Sequence, residues 1–214
     1  MRGDGVSDAR LPIQAEGGGS IPTSPLFRKQ DWEVRPCSLE LAQRLVRQHH
    51  YTHGGSNTSV YTHGLFPRGA VWEADCKGVA WWIPPTKDCA ERNYPKNWNG
   101  VLVLSRLVVV PGTPSNACSF LIRHAMRHFM DRHRWPYLLS YADEWQCHTG
   151  AIYRAAGWTE SGITKPSPVY VKDGRVVSKK AGPKTRTKTE MLALGCEFVG
   201  YFRRRRFFHF QETI

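Results

Sequence analysis

Acidic residues are scarce in this chain: 18 Asp and Glu stand against 30 Lys and Arg, leaving a net charge of +12 over 214 residues. Long apolar runs are missing too. Nothing approaches the roughly 18 consecutive apolar residues that cross a bilayer, so no membrane role is expected. The six cysteines (Cys37, Cys76, Cys89, Cys118, Cys147 and Cys196) include no C-x-x-C pair, which argues against a zinc knuckle and a short disulfide framework. The N-terminus lacks the charged-then-apolar secretory pattern, and with unpaired thiols this points to a reducing cytoplasm. What is present suffices for a core: 41% hydrophobic and 12% aromatic residues exclude global disorder.

Residues 1–25 are polar and rich in Gly, Pro and Ser and read as a flexible tail, leaving residues 26–214 for one domain. Its basic part spans about residues 165–210. Between Lys165 and Arg206, 12 Lys and Arg stand against 3 Asp and Glu, so this segment holds +9 of the net +12. Such clustering most often meets a polyanion, nucleic acid being the default, with a solvated basic surface as the bland alternative. Lys184, Arg186 and Lys188 of GPKTRTKTE, and Arg203, Arg204, Arg205 and Arg206 of FRRRRFFHF, are the candidate phosphate contacts.

Ser38 followed by a stripe of Ala42, Leu45, Val46 and His49 predicts a capped helix, stopped by Gly54 and Gly55. GAVWEADCKGVAWWIPP reads as two strands around a turn at Asp75 to Gly78. GVLVLSRLVVVP is a long buried strand whose Ser105-Arg106 interruption needs an explanation. A small-residue loop, Ser115 to Ser119, leads into an amphipathic helix. PYLLSYAD reads as a strand, EWQCHTGAIYRAAG as a loop and short helix, PVYVKDGRVV as a hairpin, and EFVGYFRRRRFFHF as one final strand. The order makes a mixed α/β domain: a central sheet flanked by helices.

A small-residue loop joining the longest strand to a helix resembles the GNAT acyltransferase superfamily, as does SYADEWQCHTGAIYRAAGWTESG with its Tyr-x-x-x-Gly-aromatic ending. The resemblance covers about residues 39–162. It implies acetyl-CoA or a related acyl donor, its pyrophosphate held by loop amides at the helix N-terminus, with Ser115, Ala117, Ser119 and Arg106 supporting the co-substrate. The loop departs from the superfamily in having no glycine pair. Within the superfamily, His50-Tyr51, Arg106, Ser119, Asp143, Tyr153 and the basic aromatic C-terminus are similar to the Mom family of phage DNA-modification proteins. That likeness implies addition of a carbamoylmethyl (acetamido) group to N6 of adenine, protecting phage DNA from restriction in the infected host's cytoplasm. The substrate would be double-stranded DNA with the adenine flipped out of the stack; a homodimer stays open.

On this reading Asp143 orients or deprotonates the amine, with a helix-capping role as its structural alternative. Tyr153 protonates the departing thiolate or is a packed core tyrosine. Arg106 pairs with Asp143, or binds a phosphate or cofactor. The stretch QHHYTHGGSNTSVYTHG, with Tyr-Thr-His-Gly twice, places His50 and Tyr51 in the cleft beneath a polar lid. Tyr51 or Tyr61 would stack on the base. Metal binding by His49, His50, His53 and His63 is the alternative, and iron, associated with the Mom family, remains open.

Overall fold

The computed structural model describes residues 26–55, 57–129, 133–181 and 184–211; the tail expected over residues 1–25 lies outside them. In chain order the elements are β1 (Trp32–Pro36), α1 (Leu39–His49), β2 (Tyr61–Pro67), β3 (Gly78–Ile83), α2 (Lys87–Asn93), β4 (Val101–Val109), α3 (Ala117–Ala125), β5 (Tyr137–Asp143), α4 (Ala151–Ala155) and β6 (Thr159–Ile163). There follow β7 (Ser167–Lys172), β8 (Arg175–Val176), β9 (Lys180–Ala181), β10 (Lys184–Thr185), α5 (Lys188–Ala193), β11 (Glu197–Phe202) and β12 (Arg204–Phe210).

Seven strands form one sheet in the order β1-β2-β3-β4-β5-β12-β6. Its β4–β5 pair is parallel and its other pairings are antiparallel. Strand alternation assigns each face a helix. Leu65, Ala80 and Trp82 pack with Phe120, Leu121 and Ala125 of α3. Their neighbours Phe66, Val79 and Trp81 pack with Leu41, Ala42, Leu45 and Val46 of α1. The Ser38 hydroxyl accepts the Leu41 amide, as an N-cap should. The buried stripe of α1 includes Leu41 and not His49, which is exposed.

Two features open the sheet where a site can form. Trp81 pairs with Arg106 and Trp82 with Leu104, which leaves Ser105 unopposed as a bulge. Bulges bend and twist a strand. Meanwhile β4 and β5 pair only from Val101 and Tyr137 to Val103 and Leu139, and beyond that no pairing joins them. The interruption in the apolar strand is thus the place where β4 leaves β5.

Three expectations need correction. The first hairpin is β2–β3, with Tyr61 opposite Trp82, whereas residues 70–77 form a loop containing a 3-10 turn at Glu73–Asp75. The second Tyr-Thr-His-Gly is therefore an interior strand and no lid. Aromatic and β-branched residues on both sides of Gly64 gave it a buried-strand composition that its histidine masked. The C-terminal run is two strands: β11 belongs to a separate three-stranded sheet, β11-β7-β8, and β12 to the large sheet.

The chain divides into two compact units. The described residues of the larger are 26–166 and 202–211, and of the smaller 167–201. The smaller unit has its own core of Tyr170, Met191 and Cys196. Asp173 and Gly174 both take positive φ, the conformation a two-residue I′ hairpin turn demands. Thr187 and Glu190 form a capping box that starts α5.

Candidate active site

A cavity of about 380 Å³ lies where β4 and β5 part, lined by Leu104, Ser105 and Leu107 from β4 and Ser140 and Tyr141 from β5. Cys118 of α3 and Gly150 to Tyr153 at the start of α4 complete one wall, and His50, Tyr51 and His148 line its mouth. Helix α1 ends at His49, so the two residues after it leave the helix and reach the cavity between β4 and β5. The Tyr51 hydroxyl lies 3.4 Å from Asp143 Oδ2 and donates to it. Arg204 Nε lies 3.5 Å from the same oxygen. These contacts follow from register: Asp143 closes β5 directly opposite Arg204, which opens β12. Burial, and next the Asp143 charge, push the Tyr51 phenol up to about 12.

His50 stacks on Tyr51 with ring centroids 4.3 Å apart. Its Nδ1 accepts the Thr52 amide (3.2 Å) and sits 2.9 Å from the Thr52 hydroxyl. Burial, then the cations and imidazoles around it, Arg106 first, lower its pKa to about 3. A neutral ring whose Nδ1 is an acceptor carries its proton on Nε2. Arg106 does not meet Asp143, so the expected pairing falls to Arg204. Instead Arg106 Nε donates to the Gly54 carbonyl (2.8 Å) and Nη1 to the Ser105 carbonyl (2.7 Å). It therefore ties the loop carrying His50 and Tyr51 to the bulge of β4. Gly55 lies so close under Trp81 that an added Cβ would come within 2.5 Å of its ring.

Tyr153 is buried on α4, stacked on Phe207, with its hydroxyl 2.9 Å from Ser140 Oγ. Ser140 is also 3.1 Å from the Leu104 carbonyl, so one hydroxyl bridges the diverging strands. Burial raises Tyr153 to about 12 and Cys118 to about 11. Such a phenol stays protonated at neutral pH and works as a proton donor only to a stronger base.

A second cavity of about 330 Å³ lies at the start of α3, lined by Phe27, Lys29, Asn116, Ser119, Phe120, Arg123, His124 and Arg127. Asn116 takes a left-handed conformation (φ 72°) before the helix, without a side-chain cap. Ser119 lines this cavity, its hydroxyl donating to the Asn116 carbonyl (3.0 Å). Ser115 is exposed, whereas Ala117 is buried and its amide is taken up by the Pro114 carbonyl (3.3 Å). These residues fit an acyl-CoA: the cations at the start of α3 suit its phosphates, and the cleft between β4 and β5, with both apolar and hydroxyl-bearing walls, suits its thioester arm.

The basic residues do not form one surface class. Lys184 and Lys188 are exposed in the smaller unit, with Lys188 over the Phe198 ring (4.4 Å), and Arg186 is half-buried there. Arg203 is exposed. Arg205 pairs with Glu160 at 3.0 Å. Arg206 donates to Ser161 Oγ (2.8 Å), Ser161 O (3.1 Å) and Asn93 Oδ1 (3.0 Å), as a brace between β12, β6 and α2.

The four histidines disperse. His49 is exposed, His53 bonds the Arg47 carbonyl, and His63 is buried beside Phe129 and His128. Tyr61 stacks on Phe129 in the core, which removes it as a base-stacking residue. Among the described residues no three His, Cys, Asp or Glu side chains converge as a metal-binding set. Sequence reasoning missed Ser140, Thr52 and His148 as members of this site. The polar Ser105-Arg106 break pointed to this region, as did His50, Tyr51, Asp143 and Tyr153.

A sheet whose parallel central pair splays around a cavity defines the fold of the GNAT N-acetyltransferases. Arabidopsis thaliana NAA60 in complex with acetyl-CoA superposes with a TM-score of 0.53 at 10% identity, covering 84% of this chain and 98% of that one. Its complex with a bisubstrate analogue gives 0.52 at 10% identity, covering 84% and 97%. The spermidine N-acetyltransferase of Vibrio cholerae gives 0.48 at 8% identity, covering 85% and 96%. A comparison with curated proteins finds no match. The profile of the Mom protein family matches residues 31–207, and the chain belongs to that family.

Proposed function

We propose that the protein adds a carbamoylmethyl group to N6 of adenine in duplex DNA, shielding the DNA from restriction. The observation that carries this reading is the Tyr51–Asp143–Arg204 cluster at the mouth of the cavity between β4 and β5. A mouth of this kind admits a base that has left the helical stack. The exocyclic amine is a weak nucleophile because its lone pair is delocalised into the ring, so orientation supplies much of the rate. Asp143 receives the amine proton and Tyr51 fixes the carboxylate's direction. His50, neutral and stacked on Tyr51, presents an Nε2 proton donor beside them. Tyr153 and Ser140, joined by a hydrogen bond, line the same cavity and hold the donor by their hydroxyls.

An acyl-CoA bound across the two cavities would supply an activated two-carbon unit. Direct acetyl transfer joins nitrogen to the carbonyl carbon, whereas the carbamoylmethyl product joins it to the CH2. Forming the N–CH2 bond breaks a bond from that carbon to a leaving group, so the donor is a two-carbon unit activated at its CH2, distinct from acetyl-CoA. The amine nitrogen displaces the leaving group and gives its proton to Asp143.

The test is expression in bacteria, digestion of plasmid DNA to nucleosides, and mass spectrometry for deoxyadenosine carrying the carbamoylmethyl mass. The modified nucleoside should be present with the natural sequence and absent with Asp143→Asn. Only unmodified nucleosides from folded, soluble protein would overturn the reading. Acetylation of a small amine or peptide in the same preparation would then identify a conventional N-acyltransferase.

A further inference from the structure

The four consecutive arginines at residues 203–206 have different partners, and the difference assigns them different work. Arg205 and Arg206 are held by Glu160, Ser161 and Asn93. Arg204 is anchored through its backbone, which exchanges hydrogen bonds with Thr164: the Arg204 amide reaches Thr164 Oγ1 at 3.0 Å, and the Thr164 amide reaches the Arg204 carbonyl at 2.9 Å. Its side chain approaches Asp143 edge-on through Nε at 3.5 Å. Neither terminal nitrogen has a hydrogen-bond partner among the described residues. The Arg204 side chain is 50% exposed and that of Asp143 only 13%. The guanidinium therefore turns its Nε edge to the half-buried carboxylate and leaves half of the side chain open to solvent, next in sequence to the exposed Arg203.

A fork of parallel N–H groups is the geometry that grips a phosphate in two hydrogen bonds. We infer that Arg204 is a positioning residue that bridges Asp143 to a backbone phosphate of the polynucleotide substrate, so that binding the strand sets the carboxylate's place over the amine. This rests on the reading of DNA as substrate. In the free protein the ion pair is long and half in water, where such pairs contribute little. A phosphate on the fork restrains the guanidinium and, through Nε, Asp143. Free nucleosides lack that phosphate and forgo this placement.

The experiment uses the full chain and a fluorescent duplex containing adenine, with affinity measured against salt for the wild type, Arg204→Gln, Arg204→Lys and Asp143→Asn. Loss of one phosphate contact reduces the slope of log K against log salt by about 0.9, and Arg204→Gln is expected to show that reduction. Arg204→Lys keeps the charge and the slope. It loses the fork, so modification turnover is expected to fall at least tenfold with little change in KM. Asp143→Asn frees the guanidinium and is expected to tighten binding while keeping the slope. A wild-type slope retained in Arg204→Gln, with circular dichroism unchanged, overturns the bridge and leaves the DNA reading standing. A wild type that does not bind DNA overturns both. Modification of free deoxyadenosine as efficiently as of duplex would also overturn the bridge.

Discussion

At the residue scale, the site contrasts groups that hold their protons with one that does not take one up. Tyr51 and Tyr153 are pushed up to about 12 and stay neutral across the physiological range. Tyr153→Phe keeps the ring stack on Phe207 and removes the hydroxyl beside Ser140. It should cost about 1 kcal/mol of stability and lower modification at least about 100-fold, read by denaturant unfolding and nucleoside analysis. The histidines give a pH prediction with a definite sign. His50 and His63 fall to about 3 and about 4 from an ordinary 6.5, both chiefly through burial. Below pH 6.5 the unfolded chain takes up protons that the folded protein refuses, so stability is full above that pH and falls as acid is added toward pH 4. The steepest loss amounts to about 1.4 kcal/mol per pH unit per histidine. His63→Leu removes a buried Nδ1 that has no partner among the described residues and should flatten the Tm-against-pH curve on the acid side.

At the element scale, the site depends on two strand ends and a short helix. Gly150 takes φ 78° immediately before α4, and an added Cβ would collide with the Phe207 ring. Gly150→Ala therefore meets both a left-handed backbone and an overpacked core, and should destabilise by about 2 kcal/mol or more. Because α4 carries Tyr153, the same change should reduce activity beyond its effect on stability, measured at a temperature where the variant remains folded. The brace at Arg206 makes the opposite prediction. Arg206→Ala breaks hydrogen bonds to Ser161 and Asn93 and should cost about 2 kcal/mol, without changing the salt dependence of DNA binding. The four arginines are alike in composition and separate by the partners that the strand register brings to each: Arg205 meets Glu160, Arg206 meets Ser161 and Asn93, and the Arg204 side chain meets Asp143, while Arg203 precedes β12.

At the scale of the whole molecule, the charge of +12 is distributed over two compact units, with Lys184, Arg186 and Lys188 in the smaller and Arg203 and Arg204 in the larger. No described helix is long and apolar enough to cross a membrane. Binding to duplex DNA should weaken steeply with salt, since each neutralised phosphate releases counterions. Replacing Lys184, Arg186 and Lys188 together by Gln should lower affinity for all duplex sequences alike and reduce the salt slope, as read by fluorescence anisotropy. Unchanged affinity in that triple variant would remove the smaller unit from the DNA-binding surface.

Local chemistry made much of this legible in the sequence. Ser38 capped α1, Asp173-Gly174 turned its hairpin, and the apolar runs at Val101–Val109 and Tyr137–Asp143 became the central strands. His50, Tyr51, Asp143 and Tyr153, singled out from motif order, line or border one cavity. Strand pairing decided the rest. The second Tyr-Thr-His-Gly became β2 because Trp82 and Val34 flank it with apolar surface, which a window of neighbouring residues does not contain. The Arg204–Asp143 contact joins residues 61 positions apart and exists only because β12 runs antiparallel to β5 in that register. Sequence determines which side chains can be partners; long-range register determines which of them meet, because each one-residue shift turns a side chain to the opposite face of the sheet.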